Sequence, residues 1–208
     1  MTPLAALLAG ALGGVFHVVS GPDHVAAVMP LSAGSPWRRA AAVGLAWGVG
    51  HGLGVVVLVG LGQLARGWFD LGRIGGGAEV AVGLLLVGLG AMTLNRARAP
   101  ERVGHTHPHA PSARPDRRHH AALAFGVLHG LGGASHLAGL LPSLAFGPAA
   151  AALYGVGYLG AAIAMMTGVA AIASLGLAAP GRLRWALVGT GLGAMGVGVF
   201  WVGTALAG

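Results

Sequence analysis

The sequence predicts an all-α integral membrane protein with six transmembrane helices, arranged as two inverted three-helix repeats. Three observations lead to this fold class. Only 8% of the 208 residues are charged and 55% are hydrophobic, whereas soluble domains carry about 25% charged residues. The apolar residues are gathered in long runs, and a run of about 20 is enough to span a bilayer. A histidine-containing motif also occurs twice, once in each half of the chain.

Six apolar segments can be identified along the chain, and each is long enough to cross a membrane. They divide the chain into a first three-helix repeat at 1–95 and a second at 119–208. Each repeat is predicted to begin with a broken helix, because the first segment contains Pro22 and the fourth contains a run of glycines. The six segments cover residues 3–30, 38–65, 74–95, 119–142, 148–176 and 183–206.

Glycine accounts for 40 of the 208 residues, well above its usual share of about 7%. In a membrane, small residues allow two helices to approach each other closely. Glycines spaced four residues apart lie on one face of a helix, so we expect close helix contacts at these positions. The spaced sets are Gly44, Gly48 and Gly52, then Gly50 with Gly54, and Gly189 with Gly193.

The stretch 96–118 differs in composition from the rest, because it is polar and rich in arginine, proline and histidine. It lacks the apolar residues needed to fold alone, which predicts a disordered cytoplasmic linker between the two repeats. The alternating histidines His105, His107 and His109 form an accessory candidate metal site, since such a run can chelate a divalent ion. A solvated linker without metal is the alternative interpretation.

The arginines predict how the chain is oriented in the membrane. Ten of the 12 belong to the connections after the first, third and fifth segments, and two belong to the opposite side. Cytoplasmic loops carry an excess of arginine, so we expect 96–118 in the cytoplasm and both termini outside it. A bacterial-type inner membrane is the predicted location. Because the arginines flank apolar segments, nucleic acid is not a predicted partner.

The repeated motif relates residues 14–30 to residues 126–142 without a gap. Each copy contains two histidines seven residues apart and ends in proline. Because each half has three spans, the second half must be inverted in the membrane, an architecture used by transporters. The matched pairs are Gly14 and Gly126, Val15 and Val127, His17 and His129, Gly21 and Gly133, His24 and His136, Ala26 and Ala138, and Pro30 and Pro142.

The stretch HVVSGPDH, residues 17–24, places ionisable groups inside a predicted membrane span. Such groups are costly in lipid and usually mark a site or a pathway. Imidazole suits transition metals, a carboxylate adds negative charge, and the absence of cysteine argues against a soft Cu(I) site. Together with the histidine of the second segment and those of the second repeat, they form the candidate metal site. Its members are His17, Asp23, His24, His51, His129 and His136.

Three motifs contain these histidines, namely HVVSGPDH at 17–24, GVGHG at 48–52 and LHGLGGASH at 128–136. Together they resemble the nickel–cobalt transporter (NiCoT) superfamily, and most closely its short UreH-like branch. The spacing departs from the common pattern, because five residues rather than four separate His17 from Asp23. Gly52 also replaces the hydroxyl residue that usually follows the second-span histidine. The choice between nickel and cobalt, and between import and export, therefore stays open.

The resemblance implies a secondary permease that carries Ni²⁺ or Co²⁺ by alternating access and is not an enzyme. His17, Asp23, His24 and His51 carry over as metal-recognition residues, whereas the histidines of the second repeat depend on the internal repeat. No permanently bound cofactor is expected, because the metal ion is the transported substrate. The expected partners are this divalent ion, the lipid bilayer and cytoplasmic metallochaperones, with no oligomeric state predicted.

Two other functions compete with metal transport as interpretations of the histidines. A haem-binding electron carrier would use paired histidines, but seven residues rise only about 10 Å along a helix, which is tight for two haems. An exporter of small oxyanions such as sulfite would need arginine or lysine inside the spans, and their interiors contain none. The chain also lacks the H-E-x-x-H motif of metalloproteases and the phosphate-binding loop of ATPases.

Overall fold

The computed structural model describes residues 2–32, 35–64, 71–98, 117–132, 139–176 and 182–207. This part of the chain is almost entirely helical. The helices are α1 (Pro3–Ser20), α2 (Pro22–Ser32), α3 (Trp37–Leu64), α4 (Leu71–Arg98), α5 (Arg117–Leu131), a 3₁₀ helix (Leu141–Ala145), α6 (Pro148–Gly176) and α7 (Arg182–Ala207).

Five helices of the described part, α1, α3, α4, α6 and α7, are long and apolar enough to cross a membrane. The prediction of an all-α membrane protein is therefore confirmed at this level. The count of six spans is not. The fourth predicted segment contains α5, which has 15 residues and rises about 22 Å. This is short of the hydrocarbon thickness of about 30 Å.

The first predicted segment is divided into α1 and α2 at Gly21. The backbone N–H of Gly21 donates to the carbonyl oxygen of His17 at 3.1 Å and ends α1. Pro22 then occupies the first position of α2, where its missing N–H costs nothing and its fixed φ favours a helix start. The motif HVVSGPDH therefore places His17 at the end of one helix and Asp23 with His24 at the start of the next.

Close glycine contacts show which helices run in the same direction. α1 and α6 are parallel, and so are α3 and α5, because residues further along one helix meet residues further along the other. The pairs that establish this are Gly10 with Tyr154, Gly14 with Tyr158, Gly50 with Leu123 and Gly54 with Val127.

Two other pairs are antiparallel. α3 runs against α6, where Gly44 meets Met166 and Gly52 faces Leu159. α4 runs against α7 and contacts it through two glycine–glycine approaches. These approaches join Gly83 to Gly198 and Gly90 to Gly191.

The predicted glycine faces are borne out on α3 and not on α7. Gly44, Gly48 and Gly52 face α6, whereas Gly50 and Gly54 face α5. On α7, a Cβ placed at Gly189 or Gly193 would meet no neighbouring atom within 4 Å. Gly191 and Gly198 face α4 instead. α3 is therefore packed on two sides, and this position explains why two glycine faces are interleaved in its sequence.

We expect Gly50→Ala to destabilise the protein by about 2 kcal/mol, the usual cost of overpacking. A Cβ at Gly50 would run into the backbone carbonyl of Leu123, which is fixed in α5 and cannot rotate away. Gly60→Ala in the same helix is the matched control, because a Cβ there meets nothing within 4 Å. Unfolding of the two purified variants in detergent checks this. Equal stability would mean that α3 and α5 do not touch here.

Candidate metal centre

Four helices contribute the candidate ligands that the structure brings together. His17 lies in the last turn of α1, and Asp23 and His24 lie in the first turn of α2. His51 comes from α3 and His129 from the end of α5. The parallel packing of α3 and α5 supports this arrangement, because Gly130 lies against the carbonyl of His51 and keeps the two backbones close.

The cluster lies beside the middle of α3. His51 is 14 residues after Trp37 and 13 residues before Leu64 on α3. At 1.5 Å per residue, this is about 20 Å from either end of the helix. His51 is therefore far from both ends of α3, in the region of a spanning helix where ionisable groups are most costly and need partners.

The Asp23 carboxylate connects two histidines. Its Oδ1 lies 3.1 Å from Nδ1 of His24, and its Oδ2 lies 3.0 Å from Nε2 of His129. Asp23, His24 and His129 are 3%, 1% and 1% exposed. Both carboxylate oxygens are therefore within hydrogen-bonding distance of a ring nitrogen, and a buried carboxylate is stabilised by such contacts.

Two overlapping groups have the geometry of a metal site. The first is His17, His24 and His51, and the second is Asp23, His24 and His129. Within each group the ligand atoms lie within 4.8 Å of one another. The imidazole rings are correspondingly close, with centroids of His17 and His24 4.5 Å apart and those of His24 and His51 5.2 Å apart. His24 belongs to both groups and is the centre of the cluster.

Glycine at position 21 is required by this arrangement. A Cβ there would contact both Nδ1 of His24 and Oδ1 of Asp23. Any larger residue would therefore push apart the two side chains that the break between α1 and α2 brings together. The Gly-Pro pair of HVVSGPDH ends α1 and also leaves space for the carboxylate–imidazole contact.

The sequence did not single out two aromatic residues that line the cluster. Trp47 is fully buried and stacks on His51, with ring centroids 5.2 Å apart and an interplanar angle of 8°. Tyr158 of α6 lies against His17, with ring centroids 5.5 Å apart. Trp47 precedes His51 by four residues, a spacing that places both on one helix face and could have revealed it. Nothing in the local sequence pointed to Tyr158.

Several predicted ligands cannot be placed. His136 and the loop histidines His105, His107 and His109 lie outside the described residues. The structure places His129, a predicted ligand, with its Nε2 3.0 Å from Oδ2 of Asp23. Metal binding by any of these residues stays a prediction.

The chain is similar to two plant proteins. It is 35% identical over 133 residues to the Chloroplast protein FOR GROWTH AND FERTILITY 1 of Arabidopsis thaliana, which covers 59% of this chain and 36% of the relative. It is 34% identical over 127 residues to the Chloroplast protein FOR GROWTH AND FERTILITY 2, which covers 59% of this chain and 34% of that relative. No protein-family model matches the chain, and no solved structure matches it.

These relatives correct several predictions. The prediction that the chain belongs to the nickel–cobalt transporter superfamily is wrong. The nickel or cobalt permease function inferred from that resemblance is wrong as well. The haem and oxyanion alternatives gain no support, and the bacterial-type inner membrane is the wrong location for relatives that are chloroplast proteins. Short histidine and glycine motifs are easily matched in a sequence so rich in small apolar residues. The chain spans about a third of the length of the chloroplast proteins that it resembles.

Proposed function

We propose that this chain is an integral membrane protein that binds one divalent first-row transition-metal ion near the middle of the bilayer. The observation that carries the proposal is the convergence of His17, His24 and His51, three imidazoles from three helices whose ligand atoms lie within 4.8 Å of one another. Imidazole is a common ligand for such ions. Burying several ionisable residues in the centre of a membrane bundle is costly without a function.

In this proposal Asp23 orients the ligands and does not bind the ion directly. Its Oδ1 lies 3.1 Å from Nδ1 of His24, so in this proposal the ring meets the metal through Nε2. Histidines that bind metals commonly donate their other ring N–H to a carboxylate, and this fixes the tautomer and raises the basicity of the ligand. His129 holds the second oxygen of the same carboxylate. In this proposal Asp23 and His129 hold His24 in position, and His17, His24 and His51 bind the ion.

The ligand set favours ions of intermediate softness. Three neutral nitrogen ligands suit Zn²⁺, Co²⁺ and Ni²⁺, whereas Mg²⁺ and Ca²⁺ prefer oxygen. The chain contains no cysteine, so thiolate is not available to select a softer ion. Three protein ligands also leave a fourth position for water or another small ligand, as in open zinc sites.

The packing supports an inverted repeat with halves at 1–95 and 119–208. In such a repeat α1 corresponds to α5, and α3 corresponds to α6. α1 packs parallel to α6 through Gly14 on Tyr158, and α5 packs parallel to α3 through Gly126 on Trp47. Gly14 and Gly126 are matched positions of the two motif copies. The same contact is thus made twice, once by the first helix of each half with the second helix of the other half. One contact brings Tyr158 to the cluster and the other brings Trp47.

The names of the relatives support the chloroplast as the location. The region of similarity covers only about one third of each relative, and the other two thirds have no counterpart in the match. We therefore propose metal binding for this helical unit alone.

Metal titration of the purified full chain in detergent tests the proposal. We expect one equivalent of Co²⁺, Zn²⁺ or Ni²⁺ to bind, with Co²⁺ giving a visible absorption band, and Mg²⁺ and Ca²⁺ not to compete. The control is His120→Ala, which removes an exposed histidine from α5 and should leave binding unchanged. A second variant replaces His105, His107 and His109 by alanine. If this variant loses the binding while His51→Ala retains it, the intramembrane site is wrong.

A further inference from the structure

We propose that the metal centre binds its ion together with one small monoanion, of the halide or pseudohalide class, at the open coordination position. This inference rests on the proposed function, because the anion is bound by the metal ion. It is carried by the charge of the cluster, by the number of its nitrogen ligands and by a buried hydrogen-bond donor at Trp47.

The described cluster offers less negative charge than a divalent ion requires. Asp23 contributes a single carboxylate, and it is the only acidic residue among those that the structure describes as buried. Imidazoles bind a metal in their neutral form, so an ion at His17, His24 and His51 leaves an excess of one positive charge. An uncompensated charge inside a membrane-spanning bundle is costly, which favours an anion beside the ion.

The ligand set leaves a place for such an anion. The ligand atoms of His17, His24 and His51 lie within 4.8 Å of one another, and a Zn²⁺ ion held by three protein ligands takes a fourth ligand from outside the protein. Asp23 does not occupy this place in the proposed site, because its Oδ1 lies 3.1 Å from Nδ1 of His24 and the ion lies on the Nε2 side. The carboxylate and the anion are therefore on different sides of the His24 ring.

A buried N–H group beside the ligands supplies a contact for the anion. Trp47 is 0% exposed, and its ring lies among three histidines. Its ring centroid is 5.2 Å from that of His51, 5.1 Å from that of His129 and 5.6 Å from that of His24. Nε1 of Trp47 has no hydrogen-bond acceptor among the described residues. An indole N–H can only donate, and a buried donor without an acceptor is costly, so an acceptor bound to the ion beside Trp47 removes this cost.

Charge decides between a water molecule and an anion at this position. Both accept a hydrogen bond from the indole N–H, but only the anion cancels the remaining positive charge. The anion must also be small, because the imidazole rings are close together. The ring centroids of His17 and His24 are 4.5 Å apart, and those of His24 and His51 are 5.2 Å apart. We therefore expect chloride and azide to bind and the bulkier methanesulfonate not to bind.

Titration of the full chain with Co²⁺ in detergent tests the proposal, first with methanesulfonate as the only added anion and then with sodium azide present. We expect azide to change the shape of the visible Co²⁺ band and to tighten Co²⁺ binding. At an azide concentration ten times its dissociation constant, the apparent affinity for Co²⁺ should rise about tenfold, because a ligand of the loaded site shifts the equilibrium by mass action. Chloride should act in the same direction.

Trp47→Phe tests the contact with the anion, because it keeps an aromatic ring and removes the N–H. We expect the azide concentration at half of the spectral change to rise at least about tenfold, as for the loss of one hydrogen bond to a charged group. Co²⁺ binding in methanesulfonate should change much less. The matched control is Trp185→Phe, which makes the same replacement at a residue that is 76% exposed and should respond to azide like the wild type.

The outcomes separate this inference from the metal centre on which it rests. If Co²⁺ binds but neither azide nor chloride changes its band, water or a fourth protein ligand fills the position, and the inference alone is overturned. An equal azide response in Trp47→Phe and the wild type would contradict the contact with the indole N–H. Absence of Co²⁺ binding in every buffer would overturn the metal centre as well. If Trp47→Phe does not fold, the response of the wild-type band to azide gives the decision.

Discussion

His24→Ala is expected to abolish measurable binding of Co²⁺ and Zn²⁺ by this chain. His24 is the residue shared by both ligand groups of the cluster, so its loss removes a candidate ligand from each of them. The loss should exceed the roughly 10–100-fold reduction that follows removal of an outer-shell partner, because a direct ligand is lost. Titration with Co²⁺, followed by visible absorption, measures the effect.

The variant also needs a test of folding, because His24 is 1% exposed and its removal leaves a cavity. His24→Gln keeps most of the volume and offers an amide in place of the imidazole, so it should fold more like the wild type and still bind weakly. The monodispersity and helix content of both variants provide the check. A folded His24→Gln protein that binds Co²⁺ as tightly as the wild type would contradict the proposed site.

The residues of the cluster could be predicted because chemistry restricts their types. Histidine and aspartate are expensive inside a membrane, so their presence in apolar segments marked His17, Asp23, His24, His51 and His129 without any knowledge of the packing. The position of the helix break was also predictable, because Gly-Pro has a strong local effect on the backbone.

The relative placement of the helices was not predictable in the same way. α3 is apolar around its whole circumference and packs on both α5 and α6, so its sequence has no single buried face to identify. Tyr158 reaches His17 only because α1 and α6 run parallel with Gly14 against the Tyr158 backbone. The same parallel packing of α3 and α5 brings His129 to Asp23. Contacts of this kind depend on the register of helices far apart in the chain.

The predicted function went wrong for a related reason. A set of imidazoles and a carboxylate indicates an affinity for metal, but it does not say whether the ion stays or moves. The permease function came from the likeness of three short motifs, and the plant chloroplast relatives overturned it. The ligand chemistry does not depend on that likeness. It depends on the distances within the cluster.

Asp23→Asn is expected to weaken metal binding by about 10–100-fold while leaving the coordination of the ion unchanged. The two carboxylate oxygens lie 3.1 Å from Nδ1 of His24 and 3.0 Å from Nε2 of His129. An asparagine keeps the shape and one acceptor oxygen, but its NH₂ group faces one of the two rings as a donor. One histidine must then change its tautomer, and the negative charge that raised the basicity of the ligand is lost.

The Co²⁺ absorption spectrum separates the two possible roles of Asp23. If Asp23 only orients His24, then Asp23→Asn should shift the titration to higher Co²⁺ concentration, and the saturated spectrum should keep the shape of the wild-type band. His129→Ala should behave in the same way but with a smaller shift, because it removes one contact of the carboxylate and retains the charge. If Asp23 is a direct ligand, its replacement changes the ligand set. The shape and intensity of the band then change, and the affinity falls as far as in His24→Ala. Such a result would place the ion in the group formed by Asp23, His24 and His129. It would contradict a site formed by His17, His24 and His51.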